Sequence, residues 1–300
     1  MILPNRAQHT GDVADHYDEL DAVYRAIWGE HVHHGLWRTG RESATEAVEA
    51  LSDHVGALLG LGGEAPPRAL IDIGCGYGAT ARRFAVRHGA SVTGYTLSRE
   101  QAGHAPSTQR VTIRVGDWLH NDLPEGSADA AYAIESSEHM ADKAGFLAQA
   151  FRVLKPGGRL VICAWLAAEN AGPWTVRHLL EPICREGRLA SMGTRTDYVE
   201  WAERAGFTLR SYEDVSRQVR RTWTICAGRF ARTLVTDPAY MRLVASRKTR
   251  NRIFALSLPR LILAYRTGAM RYGVFAFDKP VQGTIALGSG RAPTASNSVI

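Results

Sequence analysis

The chain lacks the features that would commit it to a membrane, to secretion or to a metal cluster. Its four cysteines, Cys75, Cys163, Cys184 and Cys226, stand apart with no C-x-x-C spacing. That suits reduced thiols better than a disulfide framework or a zinc site. No apolar run reaches the length of a membrane span. In the C-terminal part the longest, Leu258 to Tyr265, is broken by Pro259 and Arg260. The opening stretch MILPNRAQHTGDVADHYDEL has no signal-peptide apolar core, so a cytoplasmic location is expected. There are no internal repeats, and no recognised nucleic-acid module accompanies the pI of 9.3, so no nucleic-acid partner is expected.

What is present is ordinary for a soluble globular protein. The 300 residues are 45% hydrophobic and 22% charged, enough for two domains or one enlarged domain with an ample core. The net charge of +6 is uneven. Arg217, Arg220, Arg221, Arg229, Arg232, Arg242, Arg247, Lys248, Arg250, Arg252 and Arg260 crowd the last third. Solvated helix faces explain such crowding, and so does an anionic substrate or partner.

The stretch Leu70-Ile71-Asp72-Ile73-Gly74-Cys75-Gly76-Tyr77-Gly78 organises the rest. It reads as a buried strand running into a glycine turn, with a helix from Ala79 to His88 behind it. Such a turn lets a ligand reach backbone N–H groups with no Cβ in the way. Gly74, Gly76 and Ala79 also satisfy the dinucleotide spacing G-x-G-x-x-A. The next strand, Ala90 to Tyr95, runs into Thr96-Leu97-Ser98, where a ribose-binding acid would be expected. Its absence turns the reading away from NAD.

Before that strand, Val13, Tyr17, Leu20, Tyr24 and Ile27/Trp28 recur three or four apart, one aromatic face of a single helix following a loose terminus. The cluster His31-Val32-His33-His34 follows. No further acidic or Cys/His group at ligand spacing joins it, so no metal is expected. A lid over a ligand pocket and simple packing of the arm both remain open. Ser43 and Glu46 form a capping box for a helix ending near Leu61. Strands are predicted at residues 111–115, 128–134, 159–165, 207–212 and 271–277, with helices at 143–154 and 197–205. The alternation predicts a doubly wound α/β sheet, with Gly74–Gly78, Thr96–Ser98, Asp117–Trp118, Glu135–His139 and Trp165 on one rim.

Five segments, IDIGCGYG, GYTLSREQ, GDW, ESSEHM and LKPGGRL, stand in order on these elements. Together they resemble class I S-adenosylmethionine-dependent methyltransferases, in the branch of tocopherol and sterol C-methyltransferases and their natural-product relatives. The resemblance spans about residues 13 to 280. It implies a Rossmann-like seven-stranded sheet, mostly parallel with the last strand antiparallel, an N-terminal helical arm or lid (1–40), a methyltransferase domain (41–280) with helical cap segments near 166–200 and 229–267, and a mobile tail (281–300). The short Pro/Gly-interrupted segment after Gln101 departs from the family pattern on the adenine side.

The resemblance also implies S-adenosyl-L-methionine as cofactor. Asp72, Gly74, Gly76 and Gly78 would hold its methionine and ribose portion, although Asp72 also reads as a turn-stabilising acid. Thr96, Leu97, Ser98 and Gln101 would hold the ribose, and Asp117 and Trp118 the adenine. Glu135, Ser136 and His34 complete the cofactor set, and Tyr17, Tyr24 and Trp28 offer aromatic faces to the sulfonium. His139 is the candidate base, with Glu138 to orient or replace it; a structural role for His139 remains open. The expected acceptor is a small apolar terpenoid, indole or phenol, with carbon the favoured atom. Nitrogen, oxygen and isoprenyl diphosphate acceptors are the alternatives, and a homo-oligomer through the arm is a further expectation.

Overall fold

A computed structural model describes residues 1–236, 238, 241–242 and 257–281. Seven strands form one sheet: β1 Ala69–Ile73, β2 Ser91–Thr96, β3 Val111–Val115, β4 Ala128–Ile134, β5 Leu154–Ala167, β6 Thr208–Asp214 and β7 Met270–Asp278. Their order is β3-β2-β1-β4-β5-β7-β6. β7 runs antiparallel to both its neighbours, β5 and β6. The strand order reverses between β1 and β4, which pair in parallel with Leu70 opposite Ala130 and Asp72 opposite Tyr132. The carboxyl ends at that switch point open the crevice where α/β sheets bind ligands.

Side chains of β5 alternate between two cores, as the strand period of two requires. Val161, Cys163 and Trp165 face a layer with Val55, Phe84 and Tyr272. Leu160, Ile162 and Leu166 face Phe146, Tyr198 and Phe275. Helices α3 (Ala44–Leu59), α4 (Ala79–His88), α6 (Lys143–Val153) and α7 (Arg195–Arg204) cover these faces, with a short α5 (Arg99–His104) between β2 and β3. Further C-terminal are α8 (Arg221–Thr236) and α9 (Leu258–Thr267). α3 starts as its sequence dictates. Ser43 Oγ accepts the Glu46 N–H at 3.2 Å and Glu46 Oε2 accepts the Ser43 N–H at 2.7 Å, a cap worth about 1 kcal/mol.

The arm corrects two expectations. Its single helix is two, α1 (Thr10–Glu19) and α2 (Asp21–Ile27), broken where Leu20 leaves helical geometry at φ −100°, ψ 8°. The break lets both halves press apolar residues onto the domain. The loose terminus is docked: Ile2 exchanges backbone hydrogen bonds with Met192, and the N-terminal ammonium meets Asp197 at 3.0 Å. All of the expected tail (281–300) except Val281, and part of the second cap segment, lie outside the described residues.

Candidate active site

A cavity of about 230 Å³ opens over the carboxyl ends of β1 to β4, roofed by the arm. Two glycines shape its floor differently. At Gly74 (φ +83°) an added Cβ would sit 2.2 Å from Ser136 Cβ, so the residue closes the β1–β4 contact. At Gly76 (φ +53°) an added Cβ would meet only Gln101 Nε2, at 3.9 Å, and would project into free space. Gly78 instead faces Ile113 and does not line the cavity.

Thr96 Oγ1 donates to Gln101 Oε1 at 2.8 Å. Leu97 completes that wall. Ser98 was expected on the ribose, but its hydroxyl goes to Asp18 on α1 and accepts the Gln101 N–H at 3.0 Å. It caps α5 and ties down the arm. Asp117 caps the next turn, its Oδ1 accepting the Leu119 N–H at 3.0 Å. The buried Trp118 ring is fixed as a wall by its Nε1 donating to the Phe146 carbonyl at 3.1 Å. Ser136 bonds the Ile73 carbonyl and also lines the cavity. Asp72 does not line this cavity but a smaller one that shares Gly74 and Gly76 with it, and accepts the Tyr132 hydroxyl at 2.9 Å; burial pushes its carboxyl up to about 7.

Glu135 and His34, both expected against the cofactor, hold each other. Glu135 adopts φ +54°, a left-handed conformation uncommon outside glycine. Its buried carboxylate accepts the His34 N–H at 2.6 Å, His34 Nδ1–H at 2.9 Å, Trp165 Nε1–H at 2.9 Å and the Tyr272 hydroxyl at 2.7 Å. Burial works against its charge, but the imidazole and N–H of His34, with His33, outweigh that and hold it down at about 2. A buried carboxylate with four donors is a fixed anion. It clasps the arm to the sheet while one side still faces the cavity.

His139 stands on the turn after β4. Its Nδ1 lies 3.0 Å from the Arg188 carbonyl and its Nε2 3.0 Å from the Tyr17 hydroxyl. A carbonyl only accepts, so Nδ1 carries the proton and Nε2 presents its lone pair to Tyr17. Arg188 aims that carbonyl from φ +57°. Burial pushes His139 down to about 4, leaving the imidazole neutral. Burial, with the Glu135 and Glu138 carboxylates, raises the Tyr17 phenol, so Tyr17 stays a donor. Glu138 Oε1 accepts the Trp165 N–H at 2.6 Å, and burial lifts its carboxyl to about 7. Lys143 is buried too. Its Nζ donates to the carbonyls of Ser137, Glu138 and Met140 at 2.7, 3.2 and 2.6 Å, pinning the turn that carries both candidates.

A second, smaller cavity of about 40 Å³ adjoins the first, walled by Tyr24, Trp28, Trp165, Trp223, Glu138 and Leu189. Tyr17, Val32, Glu135 and His139 line both spaces. The expected aromatic trio is thus divided: Tyr17 stands at the junction, while Tyr24 and Trp28 lie on the far side. The histidine cluster bonds internally, with His31 Nδ1 to His33 Nε2 at 3.1 Å and His33 Nδ1–H to the His34 carbonyl at 2.8 Å. Among the described residues, the group able to gather three metal ligands is Asp21, Glu100 and His104, outside both cavities. Sequence reasoning missed Gln8, His9 and Thr10 on the cavity wall, since a polar terminus carries no signal of docking. It also missed the roles of Lys143 and Tyr272. A lysine at a helix start beside an E-H turn could have prompted the first.

A Rossmann-like sheet with a glycine turn, and a neutral imidazole where two cavities meet, is an architecture suited to group transfer. A family model described as a methyltransferase domain matches residues 71–162. The 27-O-demethylrifamycin SV methyltransferase of Amycolatopsis mediterranei (strain S699) is 33% identical over 230 residues, covering 73% of this chain and 82% of that protein. The chloroplastic tocopherol O-methyltransferase of Arabidopsis thaliana is 28% identical over 291 residues, covering 90% of this chain and 82% of its own. The mycolic acid cyclopropane synthase CmaA1, solved with SAH and CTAB, superposes with a TM-score of 0.78 at 22% identity, covering 91% of this chain and 99% of its own; that likeness shows the fold alone. The chain belongs to the S-adenosylmethionine-dependent methyltransferases.

The residues present fit that cofactor. The open approach at Gly76, the Gln101 amide beside it and the fixed Trp118 wall form a cradle that a single Cβ at Gly76 would enter. S-adenosylmethionine, when bound, supplies an electrophilic methyl group. The chain's own groups would then align the acceptor, exclude water and receive any proton released.

Proposed function

We propose that the protein methylates a small, largely apolar acceptor bearing an ionisable hydroxyl, with the hydroxyl oxygen receiving the methyl group. The observation that carries this reading is His139. It is neutral, locked in one tautomer, and presents Nε2 where the cofactor cavity meets the aromatic cavity. Tyr17 occupies the seat an acceptor hydroxyl would take. His139 Nε2 accepts the hydroxyl proton as the oxygen is methylated, becoming an imidazolium beside the Glu135 carboxylate. Relatives named as O-methyltransferases support the oxygen reading.

Carbon methylation keeps one specific support. The indoles of Trp28, Trp165 and Trp223, with two nearby carboxyl groups, would suit a carbocation or an electron-rich ring. An isoprenyl diphosphate has less, because among the described residues neither cavity is lined by Lys or Arg. The arm acts as the lid of this site, held by the Glu135 clasp. A cytoplasmic setting agrees with four free thiols, and no described helix is long and apolar enough to cross a membrane.

The test is product analysis with isotopically labelled methyl donor and a panel of phenols, indoles and prenylated rings. A methyl ether from a phenol supports the reading. A methyl group on carbon or nitrogen with the hydroxyl left free overturns the oxygen assignment.

A further inference from the structure

The His139 imidazole is held from two directions, and one of them decides which nitrogen carries the proton. The Tyr17 hydroxyl at Nε2 can donate or accept, so it suits either tautomer. The Arg188 carbonyl at Nδ1 can only accept. Where that carbonyl stands depends on a residue in a strained conformation. Arg188 closes the short helix Glu181–Glu186. The Gly187 N–H returns to the Ile183 carbonyl at 2.9 Å and the Leu189 N–H to the Cys184 carbonyl at 2.8 Å, with Arg188 at φ +57° between them. Helix ends of this kind favour glycine at the left-handed position, because a Cβ is strained there. Here the glycine stands one residue earlier, and an arginine takes the strain.

The arginine brings an anchor that glycine lacks. Its Nη1 donates to Gln8 Oε1 at 3.2 Å. Gln8 is 5% exposed, and its Nε2 donates in turn to the Arg6 carbonyl at 2.9 Å. The same N-terminal segment grips this part of the chain twice more. The Asn5 N–H donates to Glu181 Oε1 at 3.0 Å, and Ile2 and Met192 exchange backbone bonds at 2.7 and 2.9 Å. On its other side the loop after Arg188 meets the turn that follows β4. The Ala190 and Ser191 N–H groups donate to the Glu138 carbonyl at 2.9 and 3.3 Å, next to the His139 contact. We propose that residues 2–8 are a positioning strap for His139: they anchor Arg188, whose carbonyl sets the nitrogen that keeps its lone pair towards the two cavities. Arg188 lines neither cavity, so it acts through His139. This rests on the reading of His139 as base and adds what keeps that base in register.

Nitrogen NMR of the full-length protein carrying isotope-labelled histidine reads the tautomer directly, with His139 identified by the signals lost in His139→Gln. In the wild-type protein the Nδ1–H form should be in about tenfold excess. Arg188→Gly should cut that excess about threefold or more, because the carbonyl loses its anchor. Its melting temperature should stay within about 3 °C of wild type, glycine being the easier residue at that φ. Arg188→Lys keeps a donor for Gln8 and should restore the wild-type ratio. Gln8→Ala should match Arg188→Gly, and the double variant should be no worse than either, as expected of two residues acting through one contact. A dominant Nε2–H form in the wild-type protein overturns the strap. So does a wild-type ratio in Arg188→Gly and Gln8→Ala, or a loss that Arg188→Lys fails to rescue. None of these readings needs turnover. A shifted tautomer in Arg188→Gly with an unchanged rate of phenol methylation would sink the base reading and leave the strap standing.

Discussion

At the residue scale, the site is governed by how burial sorts its ionisable groups. His139 is pushed down to about 4, so as the proposed base it is unprotonated across the neutral range. The acid limb of kcat/KM is therefore expected near pH 4, not near the ordinary histidine value of 6.5. His139→Ala should remove that limb and lower turnover about a hundredfold, with affinity for S-adenosylhomocysteine kept. A full rate in the variant would return His139 to a structural role and move the search to Glu138. Glu135 shows the opposite sorting. Its folded-state value of about 2 lies below the ordinary 4.5, so the folded state binds fewer protons between those values. Its contribution to stability is complete above pH 4.5 and is lost as pH falls towards 2. Glu135→Gln should destabilise the protein by about 3 kcal/mol at pH 7 and flatten that part of the acid-unfolding curve. Urea melts at pH 7 and pH 4 measure both effects.

At the element scale, legibility followed the range of the interactions. β3 and β4 fall where periodicity places them, and α3 begins at its capping box because caps are local chemistry. The strand ends were legible as a rim because a parallel sheet brings them together. What stayed hidden depends on contacts distant in sequence. Ser98 looks like a ribose ligand until Asp18, eighty residues earlier, takes its hydroxyl. Glu135 and His34 each look like cofactor ligands until they are seen to meet across 101 residues. The break at Leu20 has no glycine or proline to announce it. Side-chain contacts that hold the arm to the rim include Asp18 to Ser98, Asp21 to the Tyr77 hydroxyl at 2.6 Å, the Tyr17 hydroxyl to His139 at 3.0 Å, and His34 to Glu135. If the arm is a lid, cofactor product should reinforce these contacts from below. Limited proteolysis within residues 1–37 should slow several-fold when S-adenosylhomocysteine is added, and Ser98→Ala should speed it in both states. Equal cleavage with and without the ligand would mean the arm is only packing.

At the scale of the whole molecule, the question is whether one chain completes its own site. The sequence made the arm's apolar face available to a neighbouring subunit, since nothing in a doubly wound sheet requires it. In the structure that face is spent internally. Val13 is 3% exposed, Leu20 4%, Tyr24 5% and Ile27 2%, all within a single chain. The hydrogen bonds described at His139 and Glu135 likewise come from the same chain. A second copy docking on that face would first have to peel away the arm, exposing core residues and breaking the Glu135 clasp, a cost that association must then exceed. Sedimentation at micromolar concentration should therefore give the mass of one chain, 32.9 kDa, with and without S-adenosylhomocysteine. The informative contrast is a protein lacking residues 1–37. Stripped of the arm, it bares the apolar rim around Trp223 and Leu189 and should self-associate, where the full-length chain is expected not to. A full-length dimer that falls apart on removing those residues would show instead that the arm reaches across to a partner, and the self-contained site would have to be given up.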